Sequence, residues 1–104
     1  MAAFALITIG DLRVDFAARL VYCRNEEVRL TPLEYKLLTT MVKSAGKVLT
    51  HRHLLREVWG PQCSQENHYL PVFVAGLRRK IEVDPARPRH ILTEQGVGYR
   101  FASG

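Results

Sequence analysis

Histidine and cysteine are the residues of this chain that could hold a metal ion, and their spacing argues against a metal site. The sequence contains four His and two Cys, and the short spacings among them are His51-x-His53 and Cys63-x4-His68. Neither matches the ligand spacing of a standard tetrahedral zinc site. Residues two apart on a helix point to different faces, so His51 and His53 would not share one ion. We expect no metal site.

The polar residues also lack the arrangements that enzymes use. No set of Ser, His and Asp indicates a nucleophile with its base, and no glycine-rich loop is placed to hold a phosphate. No pair of carboxylates falls on one inward face, as acid–base catalysis would require. The sequence therefore predicts neither enzyme activity nor a bound cofactor.

The cations are the third chemical feature of the sequence, and they are grouped. The chain has 15 Lys and Arg against 10 Asp and Glu, which gives a formal net charge of +5. Arg78, Arg79 and Lys80 are consecutive, and no acidic residue lies between Asn67 and Arg79. Taken alone, such a cluster is as easily a solvated helix face near a negative helix end. Its grouping also favours a polyanionic partner, such as the phosphates of nucleic acid.

A short helix with a clear start and stop precedes these cations. Thr50 is placed to cap its first turn, and apolar residues recur at helical spacing up to Trp59. Gly60-Pro61 ends the helix, and a polar loop over 61–66 follows. Trp59 itself is expected to pack against the core or the loop.

The residues after this loop predict a second helix, from Asn67 to Glu82. Pro71 is tolerated best near a first turn, which favours a start at Asn67 over one at Ser64. One face carries the apolar residues Leu70, Phe73, Val74, Leu77 and Ile81. The opposite face is centred on His68, Val72, Ala75 and Arg79. A helix, a break and then a basic helix is typical of a helix-turn-helix, which places its second helix in a DNA groove.

The first thirty residues predict the sheet that accompanies these helices. Short segments alternate apolar and polar residues between turn residues, which is typical of half-buried strands. They are Phe4–Ile9, Leu12–Phe16, Leu20–Cys23 and Val28–Leu30. Four short strands with tight connections indicate an antiparallel meander.

Two further elements flank the helix-turn-helix. Thr31-Pro32-Leu33-Glu34 is a capping box that starts a helix ending at Gly46. Its apolar face is formed by Leu33, Leu37, Leu38, Met41 and Val42. After the basic helix, Ile91–Thr93 and Tyr99–Phe101 predict two strands of a hairpin around 94–98.

Length and composition bound the class of protein. At 104 residues the chain is expected to form one domain over 1–104. No apolar run approaches the roughly 20 residues that span a bilayer, and Ala3–Ile7 lacks the flanks of a signal peptide. Cys23 and Cys63 are then expected to be reduced thiols, in a cytoplasmic protein without membrane contact.

Five segments, in this order and spacing, resemble the effector domain of two-component response regulators of the OmpR/PhoB type. They are Leu30–Tyr35, Gly46–Thr50, Leu54–Gly60, Leu77–Lys80 and Gly96–Phe101. Three narrower segments resemble the members that regulate potassium-transport genes. They are Trp59–Pro61, His68–Leu70 and Asp84–His90.

The resemblance implies an α+β fold of the winged helix-turn-helix type, with an N-terminal four-stranded antiparallel sheet, three helices and a C-terminal β-hairpin wing. It implies sequence-specific binding of double-stranded DNA, with the third helix in the major groove and the wing in the adjacent minor groove. It also implies that a phosphorylatable receiver domain precedes this one. Family members bind direct repeats as head-to-tail dimers, with sites about 10–10.5 bp apart on one face of the duplex.

The residues expected to contact DNA lie on the outward helix face and on the hairpin. They are His68, Tyr69, Val72, Arg78, Arg79, Thr93 and Arg100. His68 and Tyr69 open the helix, where such proteins touch base edges or phosphates, and a capping role is the alternative. Val72 is placed to touch a thymine methyl, with incidental exposure as the alternative.

The cations and the hairpin are expected to serve the phosphate backbone. Arg78, Arg79, Thr93 and Arg100 are the candidates for phosphate contacts. Lys80 projects nearest the core side and is expected to extend along the protein surface instead. Tyr99 is expected to pack rather than bind. The resemblance further implies that the loop carrying Pro61, Gln62, Ser64 and Gln65 contacts RNA polymerase.

The chain departs from many relatives where the family reads DNA. Pro71, Ala75 and Gly76 stand on the helix where relatives often carry polar or basic groups, and Gln95 stands at the wing tip where many have Arg. These changes lower the charge available to a duplex. They favour one alternative, a winged-helix module that binds a protein partner and DNA only weakly.

Overall fold

Seven strands and three helices make up the part of the chain that the computed structural model describes, residues 6–62 and 69–103. In chain order they are β1 (Leu6–Ile9), β2 (Leu12–Asp15), β3 (Leu20–Cys23), β4 (Glu26–Glu27), α1 (Pro32–Lys43), β5 (Val48–Thr50), α2 (His51–Trp59), α3 (Leu70–Ile81), β6 (Ile91–Glu94) and β7 (Gly98–Phe101). The predicted start of the first strand at Phe4 lies outside the described residues. Within them, no helix is long and apolar enough to cross a bilayer.

The first four strands form the predicted N-terminal antiparallel sheet, in the order β1-β2-β3-β4. Alternate residues of its central strands face the core, because successive side chains of a strand point to opposite faces. Leu12 and Val14 of β2 are buried, as are Val21 and Cys23 of β3. The prediction of a four-stranded sheet is confirmed.

The fourth strand lies two residues earlier than the sequence predicted. Arg24 and Asn25 have φ of 51° and 66°, so both adopt the left-handed conformation of a two-residue hairpin turn. Pairing therefore resumes at once, with Glu26 opposite Cys23 and Glu27 opposite Tyr22. The prediction of a four-residue turn followed by a strand over Val28–Leu30 is wrong.

Helix α1 begins with the predicted capping box. The backbone N–H of Glu34 donates to Thr31 Oγ1 at 3.2 Å, and the N–H of Thr31 donates to Glu34 Oε1 at 2.9 Å. The helix ends at Lys43 rather than at Gly46, because Ser44 already caps it with backbone bonds to the last turn. Leu33, predicted on the apolar face, is 38% exposed, since the first turn extends past the core.

Helix α2 follows the predicted pattern, but a strand precedes it that the sequence did not indicate. Thr50 Oγ1 accepts from the backbone N–H of His53 at 3.0 Å, as expected of the cap. Val48–Thr50 pairs antiparallel with β7. The C-terminal hairpin is therefore part of a three-stranded sheet, in the order β5-β7-β6.

Helix α3 starts at Leu70 rather than at the predicted Asn67. Pro71 then lies in the first turn, where its missing N–H leaves no helical hydrogen bond unmade. Leu70, Val74, Leu77 and Ile81 are buried along one face, as predicted. The ring of Phe73 packs edge-on against Trp59 of α2, with ring centroids 4.9 Å apart.

One hydrophobic core joins the two sheets and the three helices. Its fully buried members include Val14 of the first sheet, Leu38 of α1, Leu54 of α2, Leu77 of α3 and Phe101 of β7. Because every element except β4 contributes a buried residue, the helices and the hairpin are fixed relative to one another by shared burial.

Candidate nucleic-acid interface

The outward face of α3 is exposed and mixes apolar and basic side chains. Tyr69, just before the helix, is 66% exposed, and Val72 in its first turn is 59% exposed. Arg79 is exposed in the last turn of the helix, while Ala75 and Gly76, between Val72 and Arg79, are half-buried. The structure thus places three of the predicted contact residues on the protein surface along one helix.

The hairpin of β6 and β7 projects beside this helix and ends in a turn over 95–97. Gly96 has φ of +73°, a conformation that glycine adopts without strain, and Gln95 and Val97 at the tip are exposed. Thr93 is exposed on β6. Arg100 on β7 is half-buried and donates from Nε to Glu94 Oε2 at 2.9 Å, so part of its guanidinium serves a contact across the hairpin.

Arg78 connects α3 to the hairpin. Its Nη2 donates to the backbone oxygen of Ile91 at 2.8 Å and to Thr93 Oγ1 at 2.9 Å, and its Nε also donates to the Ile91 oxygen at 3.2 Å. Its guanidinium carbon lies 5.7 Å from the ring centre of Tyr99. Two predicted contact residues, Arg78 and Thr93, are therefore brought together, and Arg78 has an internal role that the sequence did not indicate.

Glu82 holds the hairpin at a second point. It caps the C-terminal end of α3, is only 5% exposed, and accepts from three successive backbone N–H groups. Arg89 donates to Oε1 at 2.8 Å, His90 to both oxygens at 3.0 and 3.2 Å, and Ile91 to Oε2 at 2.8 Å. Nothing local in the sequence marks this carboxylate, since its partners lie seven to nine residues away.

Lys80 is 37% exposed and is paired with a carboxylate of α1 on the protein surface. Its Nζ lies 2.6 Å from Oε1 of Glu34, which ties α3 to the first turn of α1. Burial raises the pKa of Glu34, but the hydrogen bonds from Lys80 and Thr31 outweigh burial and lower that pKa below its ordinary value. Lys80 is thereby directed away from the outward face.

The exposed side of α2 carries two cations that sequence reasoning did not select. Arg52 and Arg56 are exposed and line a shallow depression whose other lining residues are Thr50, His53, Glu57 and Pro61. Their exposure could have been predicted from the sequence, because Arg52 and Arg56 lie opposite the buried Leu54 of this amphipathic helix. In helix-turn-helix proteins the first helix crosses the phosphate backbone, so these cations join the candidate interface.

Tyr99 packs inside the domain, as predicted. It is buried on β7, and its ring lies 5.4 Å from that of His51. Burial raises the pKa of the Tyr99 hydroxyl above its ordinary value, with the nearby Arg78 acting against the shift. The ring therefore supports the hairpin and is not part of the exposed surface.

The structure describes only the first two residues of the predicted polymerase loop and does not describe His68, the first predicted DNA contact. Pro61 and Gln62 are exposed in a turn after Gly60. Ser64, Gln65 and His68 lie outside the described residues, so their predicted roles remain predictions.

The described histidines are not gathered into a metal site. His90 is buried, stacks on Phe101 with ring centroids 5.5 Å apart, and bonds through Nε2 to Asp11 Oδ1 at 2.7 Å. The hydrogen bond with His90, together with Arg24 and against a raising effect of burial, lowers the pKa of Asp11. Across 6–62 and 69–103 there is no group of three or more His, Cys, Asp or Glu side chains that could hold an ion.

These elements define a winged helix-turn-helix domain with an exposed, partly basic helix beside its wing. Comparison with known proteins identifies the family of this domain. A family model described as "Transcriptional regulatory protein, C terminal" matches residues 25–101. The chain is 52% identical over 96 residues to the KDP operon transcriptional regulatory protein KdpE of Escherichia coli K12. The aligned residues cover 92% of this chain and 43% of that protein.

Two solved structures share the fold. The response regulator DrrB of Thermotoga maritima, an OmpR/PhoB homolog, superimposes with a TM-score of 0.85 at 34% identity, over 94% of this chain and 44% of that one. The DNA-binding domain of Klebsiella pneumoniae RstA, in complex with the RstA box, gives a TM-score of 0.82 at 25% identity, over 95% of this chain and 98% of that one.

The chain belongs to the family of C-terminal DNA-binding domains of OmpR/PhoB-type response regulators. It spans 43% of the length of the E. coli relative. The winged helix-turn-helix fold predicted from the sequence is confirmed.

Proposed function

We propose that this domain binds specific DNA sequences by placing α3 in the major groove and the β6–β7 wing in the adjacent minor groove, and that it thereby regulates transcription. The observation that carries this proposal is the outward face of α3, exposed at Tyr69, Val72 and Arg79 and flanked by an exposed wing. The RstA domain, of the same fold, has been solved with its DNA box. A major groove is wide enough to admit such a helix.

The side chains divide between two tasks. Arg78, Arg79, Thr93 and Arg100 bind phosphates and fix the position of the domain on the duplex. His68, Tyr69 and Val72 face the base edges and supply the preference for sequence. Arg52 and Arg56 of α2 add phosphate contacts on the other side of α3.

The biological setting follows from the relatives and stays part of the proposal. The chain works within a longer two-component regulator, after a phosphorylatable receiver domain, and controls potassium-transport genes. Its similarity to the regulator of the KDP operon supports this. Two copies bind direct repeats head to tail, and the loop with Pro61, Gln62, Ser64 and Gln65 contacts RNA polymerase.

Selection of bound duplexes from a random pool, followed by a salt titration, tests the proposal. Recovery of a repeated motif, with copies about 10–10.5 bp apart, would establish specificity and the head-to-tail arrangement. The logarithm of the affinity should fall steeply with the logarithm of the salt concentration. A pool that converges on no motif, with an affinity insensitive to salt, would refute DNA binding.

A second function has one observation in its favour. Tyr69 and Val72 are exposed apolar side chains, and Ala75, Gly76 and Gln95 bring no charge to the surface between α3 and the wing tip. Aromatic and aliphatic side chains of this kind also suit a protein partner. Under this alternative, binding to random duplex would be weak and would change little with salt.

A further inference from the structure

We infer that Arg78 and Glu82 form a clamp on the backbone of Ile91, and that this clamp sets the position of the wing relative to α3. Glu82 Oε2 accepts from the N–H of Ile91 at 2.8 Å. Arg78 Nη2 donates to the C=O of the same residue at 2.8 Å. Both polar groups of one backbone residue are thus held by side chains from the last turn of α3 and from its C-cap.

The clamp follows from helix and sheet geometry. Arg78 lies in the last turn of α3, and Glu82 caps that turn with its N–H donating to the Arg78 oxygen at 2.9 Å, so both side chains reach β6 from the end of the helix. Ile91 is the first residue of β6, and β6 is an edge strand, because the sheet has the order β5-β7-β6. An edge strand presents N–H and C=O groups that no neighbouring strand pairs. At Ile91 the helix supplies the missing donor and acceptor.

Two opposite charges hold the strand more firmly than one would. Hydrogen bonds to a charged donor or acceptor are shorter and stronger than bonds between neutral groups. Arg78 also binds Thr93 Oγ1 at 2.9 Å, and Glu82 binds the N–H groups of Arg89 and His90. Contacts therefore reach four of the five positions from 89 to 93, all but Leu92, and resist both sliding and rotation of β6.

Glu82 allows the positioning of the wing to be tested separately from direct contact with DNA. Its side chain is negative and 5% exposed, so it neither attracts nor reaches a phosphate. Because Glu82→Gln also changes the net charge, the effect that passes through the wing is the coupling between Glu82→Gln and a wing variant, not the affinity alone. The clamp keeps the wing in place before DNA arrives, and an element ordered in advance loses less conformational freedom on binding.

The first test needs no DNA. Hydrogen exchange is measured at the backbone amides of the 104-residue chain and of its Glu82→Gln variant, in which one carboxylate oxygen becomes an amide that cannot accept. Exchange across Leu92–Arg100 should accelerate about tenfold relative to the N-terminal sheet, as expected when a bond to a charged group is lost. Unchanged relative exchange in the hairpin would overturn the clamp.

Matched variants separate local loosening from general instability. Thr31→Ala removes the cap of α1, whose side chain bonds to Glu34 and not to the hairpin, and should accelerate exchange in the hairpin no more than elsewhere. If Glu82→Gln does not fold, Arg78→Lys replaces it, since a single ammonium keeps the charge but loses the planar fork that reaches both Ile91 and Thr93. The same acceleration is then expected.

The second test asks whether the clamp serves binding, and it depends on the proposed function. Arg100→Gln in the wing should weaken binding to the selected duplex about tenfold in the wild-type chain, as expected for one charge-assisted contact. In the Glu82→Gln background the same change should cost less than about twofold, because a loose wing no longer places that contact. Arg79→Gln on α3 should cost the same in both backgrounds.

The outcomes are separable. If Arg100→Gln and Arg79→Gln are both additive with Glu82→Gln, the positioning role is refuted. If the wild-type chain does not bind DNA, the proposed function fails, and the exchange measurement still decides whether the clamp exists.

Discussion

Gly98 of β7 and Leu49 of β5 lie so close that no side chain fits between them. A Cβ atom added to Gly98 would lie 1.9 Å from the backbone oxygen of Leu49 and 2.9 Å from its carbonyl carbon. Both atoms belong to a paired strand, so neither can swing aside as a flexible side chain would. The absence of a Cβ at this position lets β5 join the hairpin, and β5 in turn leads directly into α2.

Gly98→Ala should therefore destabilise the domain by about 3 kcal/mol, because a core contact is overfilled and backbone must shift. Gly96→Ala is the matched control. Gly96, unlike Gly98, has positive φ, at +73°, but nothing lies within 4 Å of its added Cβ, so only the left-handed strain of about 1–2 kcal/mol applies. Urea unfolding of the three chains measures the difference, and equal losses would show that the close approach is not limiting.

Glu34→Gln should weaken the link between α1 and α3. Glutamine can still accept from the Thr31 N–H as in a capping box, so the variant removes mainly the charge that binds Lys80. The expected loss near neutral pH is about 0.5–1 kcal/mol, since part of the Lys80 side chain is exposed and solvent screens the pair. Glu27→Gln on the exposed β4 should cost much less.

The same variant predicts a dependence on pH. Because the folded state lowers the pKa of Glu34 below its ordinary 4.5, its contribution is complete above that value and is lost as the pH falls through the lowered pKa. The difference in unfolding free energy between wild type and Glu34→Gln should shrink from about pH 7 to about pH 3. A difference that persists in acid would rule out the ion pair as its cause.

The sequence predicted most of the fold because its signals were local. Capping at Thr31 and at Thr50 depends on residues within one turn, and both caps are confirmed. β5 was missed because three residues carry too little periodicity, and its pairing partner lies some fifty residues further on. The fourth strand was misplaced because Arg24 and Asn25 adopt left-handed backbone conformations that a polar run does not reveal.

The candidate site was predicted less completely, for a related reason. Exposure of Val72 and Arg79 follows from helical spacing alone, and the structure agrees, whereas Tyr69 is exposed just before the helix begins. The internal bonds of Arg78 and Glu82 depend on a hairpin nine to fifteen residues away, which folds back against α3. Such contacts leave no periodic trace in the sequence.

Cys23 should be unreactive in the folded domain. It is buried on β3, and burial raises the pKa of its thiol to about 11. At pH 8 only about one thiol in a thousand would be ionised, and the thiolate is the reactive form. In a Cys63→Ser background, a thiol reagent should modify Cys23 rapidly in urea and only at the rate of unfolding without it. Rapid modification of the folded chain would contradict this burial.

Arg79→Gln should weaken binding to all duplexes alike and reduce the slope of log affinity against log salt by about one, as expected for one lost phosphate contact. Arg13→Gln is the control, because that guanidinium stacks on Tyr22 of the N-terminal sheet at 4.7 Å, and its loss should leave the slope unchanged. Arg78→Ala should reduce the slope similarly and also destabilise the hairpin. An unchanged slope for Arg79→Gln would remove it from the interface.

Val72 offers a test of base reading that does not depend on charge. If its exposed side chain touches a thymine methyl, replacing that thymine by uracil in the selected duplex should weaken binding about fourfold, the effect of one buried methyl group. In Val72→Ala the same replacement should have little effect, because the partner of the methyl group is gone. Val83→Ala, at a valine beyond the end of α3 that is 70% exposed against 59% for Val72, should keep the full response. Equal responses from wild type and Val72→Ala would show that Val72 is exposed without reading the base.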